Sequence, residues 1–190
     1  MVGPAAVVAV LPALGGVLDG GGLAAGQAAP LTPPVRVARV AGRAVPGGTY
    51  DRAVQKVRLR RLPVTSPPIP EGGGRIQSPA GELAQIVNGG TYRFLAYLEF
   101  RPDAARPRGN HYHAHKTETL YVISGRLRAV FRDLDSGERT ELTIEAGDAV
   151  TVEPRCAHVY FALEHSQAVE LADTPYDPGD THPCDVVGGG

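Results

Sequence analysis

Residues 109–125 read GNHYHAHKTETLYVISG. Three histidines, His111, His113 and His115, occupy every second position. Alternate side chains on a β-strand share a face, so these imidazoles project together. His111 and His113 can then offer two nitrogens to one ion. After a short turn, Glu118 opens a second strand-like run, which continues as TLYVISG. If the two runs form a hairpin, the Glu118 carboxylate sits beside the two imidazoles. His158 follows 40 residues after Glu118, at the start of HVYFAL. In a closed barrel so distant a strand can lie opposite the first. His111, His113, Glu118 and His158 make a mixed nitrogen and oxygen donor set. Imidazole suits Zn, Cu, Fe and Ni, and carboxylate suits harder ions. Four protein ligands would leave positions on an octahedral ion open to water or substrate.

The surrounding chain reads as strands. Candidates are 54–62, 82–87, 91–100, 110–115, 118–124, 126–133, 139–145, 148–153, 158–163 and 166–172. Turn residues separate them, among them Gly109, Gly125, Asp135-Ser136-Gly137 and Gly147-Asp148. Leu127, Ala129 and Phe131 share one face, with Arg126, Arg128 and Arg132 on the other. Short strands at this spacing predict an all-β sandwich or barrel. No stretch shows a long 3.6-residue apolar period, so helix is a minor component. Residues 63–81, with Pro67, Pro68, Pro70 and Gly72 to Gly74, read as loop.

Composition narrows the classes further. The chain has 190 residues and a formal net charge of −1, which argues against a nucleic-acid or polybasic membrane binder. Two cysteines make neither a disulfide framework nor a Cys-rich zinc module. Cys156 is read as a small packed residue near His158 rather than as a ligand. Gly plus Pro account for 27 of residues 1–90 but only 11 of residues 91–187. Residues 1–50 hold 27 Ala, Gly or Pro and four charges, so they read as a poorly ordered tail ahead of a barrel over 51–187. The apolar run at 2–18 has no basic residue before it and is broken by Pro4, Pro12, Gly15 and Gly16, which is unlike a secretory signal. A cytoplasmic location is expected. Eight basic residues lie within 36–61 against Asp51 alone. Alternation within 54–62 accounts for Lys56, Arg58 and Arg60, so this stretch is read as a charged edge strand rather than a phosphate-binding strip.

The chain resembles the cupins. His111-Tyr112-His113, four residues, Glu118, six residues and Gly125 look like the first cupin motif. Gly147-Asp148, Glu153-Pro154 and His158 look like the second. Glu153 stands where a Pro is usual, Arg155 where a Gly is usual and Ala162 where an Asn is usual. The resemblance implies a double-stranded β-helix, or jelly-roll, barrel. Inside it His111, His113, Glu118 and His158 would bind a divalent ion such as Fe, Mn, Ni or Zn. Some cupins use the histidine pair without metal, as bases.

Residues 109–127 and 172–183 also resemble cupins of polysaccharide and deoxysugar biosynthesis. That likeness implies an epimerase or ketoisomerase acting on a nucleotide-linked 4-keto sugar. Such chemistry needs a base and an acid. Tyr160, which shares a strand face with His158, and Lys116 are the candidate carriers, with Tyr97 behind them. Arg93 or the 56–61 strip could meet a diphosphate. An Fe(II)-dependent dioxygenase and a non-catalytic sugar-binding cupin are the alternatives. A homodimer is expected, with the 54–62 strand extending a partner's sheet. His115, His165 and His182 are expected at the surface.

Overall fold

A computed structural model describes residues 51–188. The tail assigned to residues 1–50 lies outside the described residues. Thirteen strands follow in order: β1 (Asp51–Val54), β2 (Val57–Arg61), β3 (Gly74–Ser78), β4 (Gly81–Gln85), β5 (Phe94–Phe100), β6 (Arg108–Tyr112), β7 (Glu118–Ser124), β8 (Arg126–Asp133), β9 (Arg139–Glu145), β10 (Asp148–Val152), β11 (Cys156–Ala162), β12 (Ser166–Ala172) and β13 (His182–Pro183). A 3-10 turn, Pro178–Asp180, precedes β13. Among the described residues no helix is long and apolar enough to cross a membrane.

The strands form two main antiparallel sheets. One has the order β1-β2-β10-β7-β12-β5 and the other β13-β6-β11-β8-β9, with β3-β4 as a separate hairpin. This is the jelly-roll arrangement expected from the sequence. The inward faces of both sheets meet in one apolar cluster. Leu120, Val122, Val150 and Val152 come from the first sheet, and Leu127, Phe131, Leu142 and Ile144 from the second. Burying each such side chain contributes roughly 1.5–3 kcal/mol. The outward faces are partly covered too. Tyr121 and Ala149 pack with Leu62 against Ala84 and Ile86, at and just beyond β4. Val130, Ala157 and Val159 pack under Val186 and Cys184 near the C-terminus.

The sequence reading needs correction in its first third. The 54–62 stretch is a hairpin, with Val54 paired to Val57 across a tight turn at Gln55 and Lys56. The alternation of charge runs through that turn, so the pattern alone conceals it. β2 is not an edge strand either, since β1 and β10 flank it. It therefore has no free side with which to extend a partner's sheet. Its basic neighbours are consumed internally. Arg58 pairs with Glu153 at 2.9 Å and Arg61 with Asp148 at 2.8 Å. Arg60 donates to the Ile86 carbonyl at 2.6 Å, and Lys56 pairs with Asp133 at 2.8 Å and with Asp135. Within the expected loop 63–81, Gly74–Ser78 pairs with Gly81–Gln85 as a hairpin.

One irregularity matters for the site. β6 and β11 are in register at His111 and His158, but Val159 then pairs with Gly109. Asn110 is the extra residue of a β-bulge. Gly109 and Asn110 both take left-handed backbone, with φ of 86° and 63°. The bulge turns Asn110 toward the C-terminal segment, where its carbonyl accepts from the Cys184 N–H at 2.9 Å and its side chain from the Val186 N–H at 3.1 Å. A Cβ on Gly109 would lie 2.8 Å from the His158 carbonyl oxygen.

Gly109→Ala is expected to lower stability by about 1–3 kcal/mol, from left-handed strain and this close approach. Phe131→Ala, in the central cluster, is expected to cost about 3–5 kcal/mol. Urea unfolding of the two variants checks both.

Candidate active site

His111 and His158 lie directly opposite each other on neighbouring strands, with ring centroids 4.7 Å apart. His113 lies just beyond the end of β6, and its ring is 4.8 Å from that of His111. The ligand-capable nitrogens of the three histidines lie within 4.8 Å of one another. Glu118 opens β7 in the opposite sheet. Its Oε1 is 2.9 Å from His158 Nε2, and its Oε2 is 3.4 Å from His113 Nε2. All four residues predicted from sequence therefore meet.

They meet by a different route from the one expected. β6 pairs with β11 and β13, while β7 pairs with β10 and β12. Glu118 is thus not on a hairpin partner of the histidine strand. It faces the imidazoles across the barrel interior, and His158 is the adjacent residue. Sequence proximity suggested a hairpin, but β6 and β7 lie in opposite sheets.

Lys116 belongs to the site rather than to a solvent-facing turn. Its Nζ lies 2.9 Å from Glu118 Oε2 and 2.9 Å from Glu170 Oε1. It also sits 5.6 Å from the Phe94 ring centroid. Burial alone would lower its pKa, but the two carboxylates outweigh burial and raise it. It remains an ammonium. Tyr160 also points inward, with its ring 5.6 Å from that of His158. Its hydroxyl is buried without a hydrogen-bond partner. Burial, with Glu118 nearby, pushes the phenol pKa well above its usual value, so it keeps its proton.

Two further residues complete the cluster. Glu170 projects inward from β12, where burial and the Glu118 charge raise its pKa. It shares the inward parity of Ser166 and Ala168, and an acidic side chain there was a legible signal. Asp180 lies in the C-terminal segment, and its carbonyl oxygen is 2.5 Å from His113 Nδ1. No strand pattern reaches it, so periodicity could not have found it.

The histidines differ in charge state. Burial, then His158 and His113, hold the His111 pKa down to about 4. Burial also acts to lower that of His158, but Glu118 overrides it and raises the value. Both His158 nitrogens face acceptors, since Nδ1 lies 3.3 Å from the Cys156 carbonyl. His158 thus carries both ring protons. Glu118 in turn is held well below the usual carboxylate range, its burial outweighed by His158, His113 and Lys116. Since His113 Nδ1 faces a carbonyl, it must donate. His113 Nε2 is buried without a hydrogen-bond partner, 3.4 Å from Glu118 Oε2.

The donor set fits a metal ion. His111, His113 and His158 each offer one nitrogen, all within 4.8 Å of one another, and imidazole with a nearby carboxylate is a donor set that could hold a divalent ion. An ion bound there would share Glu118 with the Lys116 ammonium.

The other residues singled out from sequence do not join this cluster. Cys156 is buried, and burial with Asp133 nearby drives its thiol up to about 12, far from a reactive thiolate. Tyr97 is exposed, and its hydroxyl accepts from Gln167 outside the site. The 56–61 strip is spent on internal ion pairs and a backbone carbonyl. Arg93 is exposed. His115 is exposed, His165 pairs with Glu99 at 2.8 Å, and His182 stacks on Tyr112 at 4.8 Å.

Residues 80–170 match a family model described as the polysaccharide biosynthesis C-terminal domain. No curated protein matches the chain. Among solved structures, it is similar to the sugar 3,4-ketoisomerase QdtA from Thermoanaerobacterium thermosaccharolyticum in complex with TDP. That match has 17% identity and a TM-score of 0.53, covering 67% of this chain and 87% of that one. It is also similar to a dTDP-4-dehydrorhamnose 3,5-epimerase from Sulfolobus tokodaii, with 15% identity and a TM-score of 0.55 over 70% of this chain and 80% of the other. A third is NovW, a 4-keto-6-deoxy sugar epimerase from Streptomyces spheroides, with 14% identity, a TM-score of 0.56 and 77% coverage of each chain. At these identities the likeness is one of fold.

The site should leave a signature in the pH dependence of stability. Between about pH 6.5 and 4 the unfolded chain protonates His111 while the folded chain resists, so acidification destabilises across that window. His158 acts in the opposite sense, since its raised pKa stabilises the fold at low pH and that contribution is lost as pH rises through the folded value. His111→Gln is expected to lose less stability than the parent between pH 6.5 and 4, read from urea midpoints. Equal losses would contradict the assignment.

Proposed function

We propose that this chain, which has the cupin fold, is an isomerase that moves a proton beside the carbonyl of a small sugar-derived ketone, such as a nucleotide-linked 4-keto sugar. The observation that carries this reading is the buried, unpartnered His113 Nε2 set against the Glu118–Lys116 ion pair. A lone pair in a closed interior, next to a fixed cation, suits removal of a proton whose charge then moves to oxygen. The names of the structural neighbours, sugar ketoisomerases and epimerases, agree with that chemistry.

In this reading His113 Nε2 takes the proton from the carbon beside the carbonyl. The broken C–H pair becomes the enolate double bond, and the carbonyl π electrons move onto oxygen. In this reading the Lys116 ammonium stabilises the charge which that oxygen gains. Tyr160, kept protonated by burial, is the candidate donor when a proton returns. Glu118 and Glu170 hold Lys116 in place and charged. A second reading, exclusive of the first because His113 has only Nε2 left to offer, is that His111, His113, His158 and Glu118 would hold a divalent ion, which as a Lewis acid would polarise the carbonyl.

Purified protein incubated with nucleotide-linked 4-keto sugars in heavy water is expected to place deuterium on a ring carbon next to the carbonyl. His113→Gln should slow exchange by about 10²–10⁴-fold, as expected for a lost base. Lys116→Met should slow it by about 10²-fold. No exchange with any of several such sugars would reject the isomerase reading. Metal analysis of parent and His111→Ala protein tests the ion, and full exchange by metal-free protein would remove it from the reaction.

A further inference from the structure

The loop that carries His113 and Lys116 has no sheet partner of its own. Residues 114–117 leave β6 and have not yet entered β7. Their backbone N–H groups must still find acceptors, because unpaired buried donors are costly. The C-terminal segment supplies all four. Asp180 Oδ1 accepts from Ala114 N–H at 2.7 Å. Asp180 Oδ2 accepts from His115 and Lys116 N–H at 3.2 Å each. Asp173 accepts from Thr117 N–H at 3.0 Å.

Asp180 is itself held firmly. It ends the 3-10 turn, whose Gly179 N–H is capped by Asp177 at 2.8 Å. Two residues later His182 pairs with Tyr112 on β6. Three contacts from one carboxylate thus fix where the Asp180 backbone lies. That backbone offers its carbonyl oxygen to His113 Nδ1 at 2.5 Å. A carbonyl accepts only from an N–H, so the contact selects one imidazole tautomer. With the proton on Nδ1, the Nε2 lone pair faces the interior. The opposite tautomer would set two lone pairs against each other at Asp180, at 2.5 Å, in exchange for the longer 3.4 Å approach of Nε2 to Glu118 Oε2.

We infer that Asp180 is a positioning residue. Its carboxylate clasps residues 114–116, and its carbonyl locks His113 in the Nδ1–H tautomer, which leaves Nε2 free to accept a proton. The consequence for turnover rests on the isomerase reading above. The tautomer itself does not.

The test uses the full-length protein labelled with 15N-histidine, with the His113 signals assigned by their loss in His113→Gln. At neutral pH the parent is expected to show a protonated Nδ1 and an unprotonated Nε2. Asp180→Ala removes all three carboxylate contacts and should give mixed tautomers. Its kcat for deuterium exchange should fall roughly 10–100-fold, the range seen when the group orienting a functional histidine is lost, with KM unchanged within about twofold. Asp180→Asn keeps the size of the side chain but sets an amide NH2 against backbone donors. It should shift the tautomer ratio in the same direction and covers the case in which the alanine variant does not fold. A folded Asp180→Ala or Asp180→Asn protein with an unaltered His113 tautomer overturns the inference. So does a loss of activity expressed entirely in KM. Absence of exchange in the parent would sink the isomerase reading, while the 15N spectra still decide the clasp.

Discussion

The site is organised around one buried carboxylate. Glu118 is only 4% exposed, and its charge lies between the two sheets. An isolated carboxylate there would cost several kcal/mol, so it must be matched by positive charge and hydrogen bonds. His158 meets one oxygen from the opposite sheet, and Lys116 meets the other from the adjoining loop. The remaining electrostatics follow in sequence. Burial, with His158 and His113 beside it, holds His111 neutral. With Lys116 drawn inward, Glu170 becomes its second partner. The cluster is a set of mutual constraints rather than four independent ligands.

Those constraints require precise backbone placement, and the strands alone do not provide it. The bulge at Gly109 and Asn110 sets the register that brings His111 opposite His158. The chain before β11 is equally specific. Arg155 adopts a left-handed backbone with φ of 60°, where cupins usually carry Gly. A side chain there costs about 1–2 kcal/mol. Its N–H donates to the His113 carbonyl at 2.7 Å, and its guanidinium pairs with Asp135 at 2.7 Å. These contacts offset the strain and explain how a non-glycine residue occupies the turn. His113 is therefore held from two sides, by Arg155 at its backbone and by Asp180 at its ring.

A cupin barrel hosts many chemistries, so the fold alone does not choose among them. The side chains supply the argument. A basic nitrogen, a fixed ammonium and a protonated phenol stand within one buried interior. Together they suit enolate formation and collapse. The same three imidazoles offer nitrogens that could hold an ion, but His113 has one nitrogen left for either role, so base and ligand exclude each other there.

Local pattern determined most of the strands and the four residues His111, His113, Glu118 and His158. The strands 118–124, 126–133, 139–145 and 166–172 match the structure residue for residue, because short runs rich in apolar residues are bounded by turn residues. Alternation is a local property and is therefore visible in the chain. It could not show the turn at Gln55–Lys56, where charge continues through a hairpin. Nor could it show which strand faces which. The tertiary structure alone decided that Glu118 crosses the barrel to reach His158, and that Lys116 turns inward to Glu170. It also brought Asp180, 67 residues from His113, to the imidazole ring. The physical reason is the same in each case. Buried charges and unpaired N–H groups are satisfied by whichever partner the packed sheets bring near, and sequence separation places no limit on that choice.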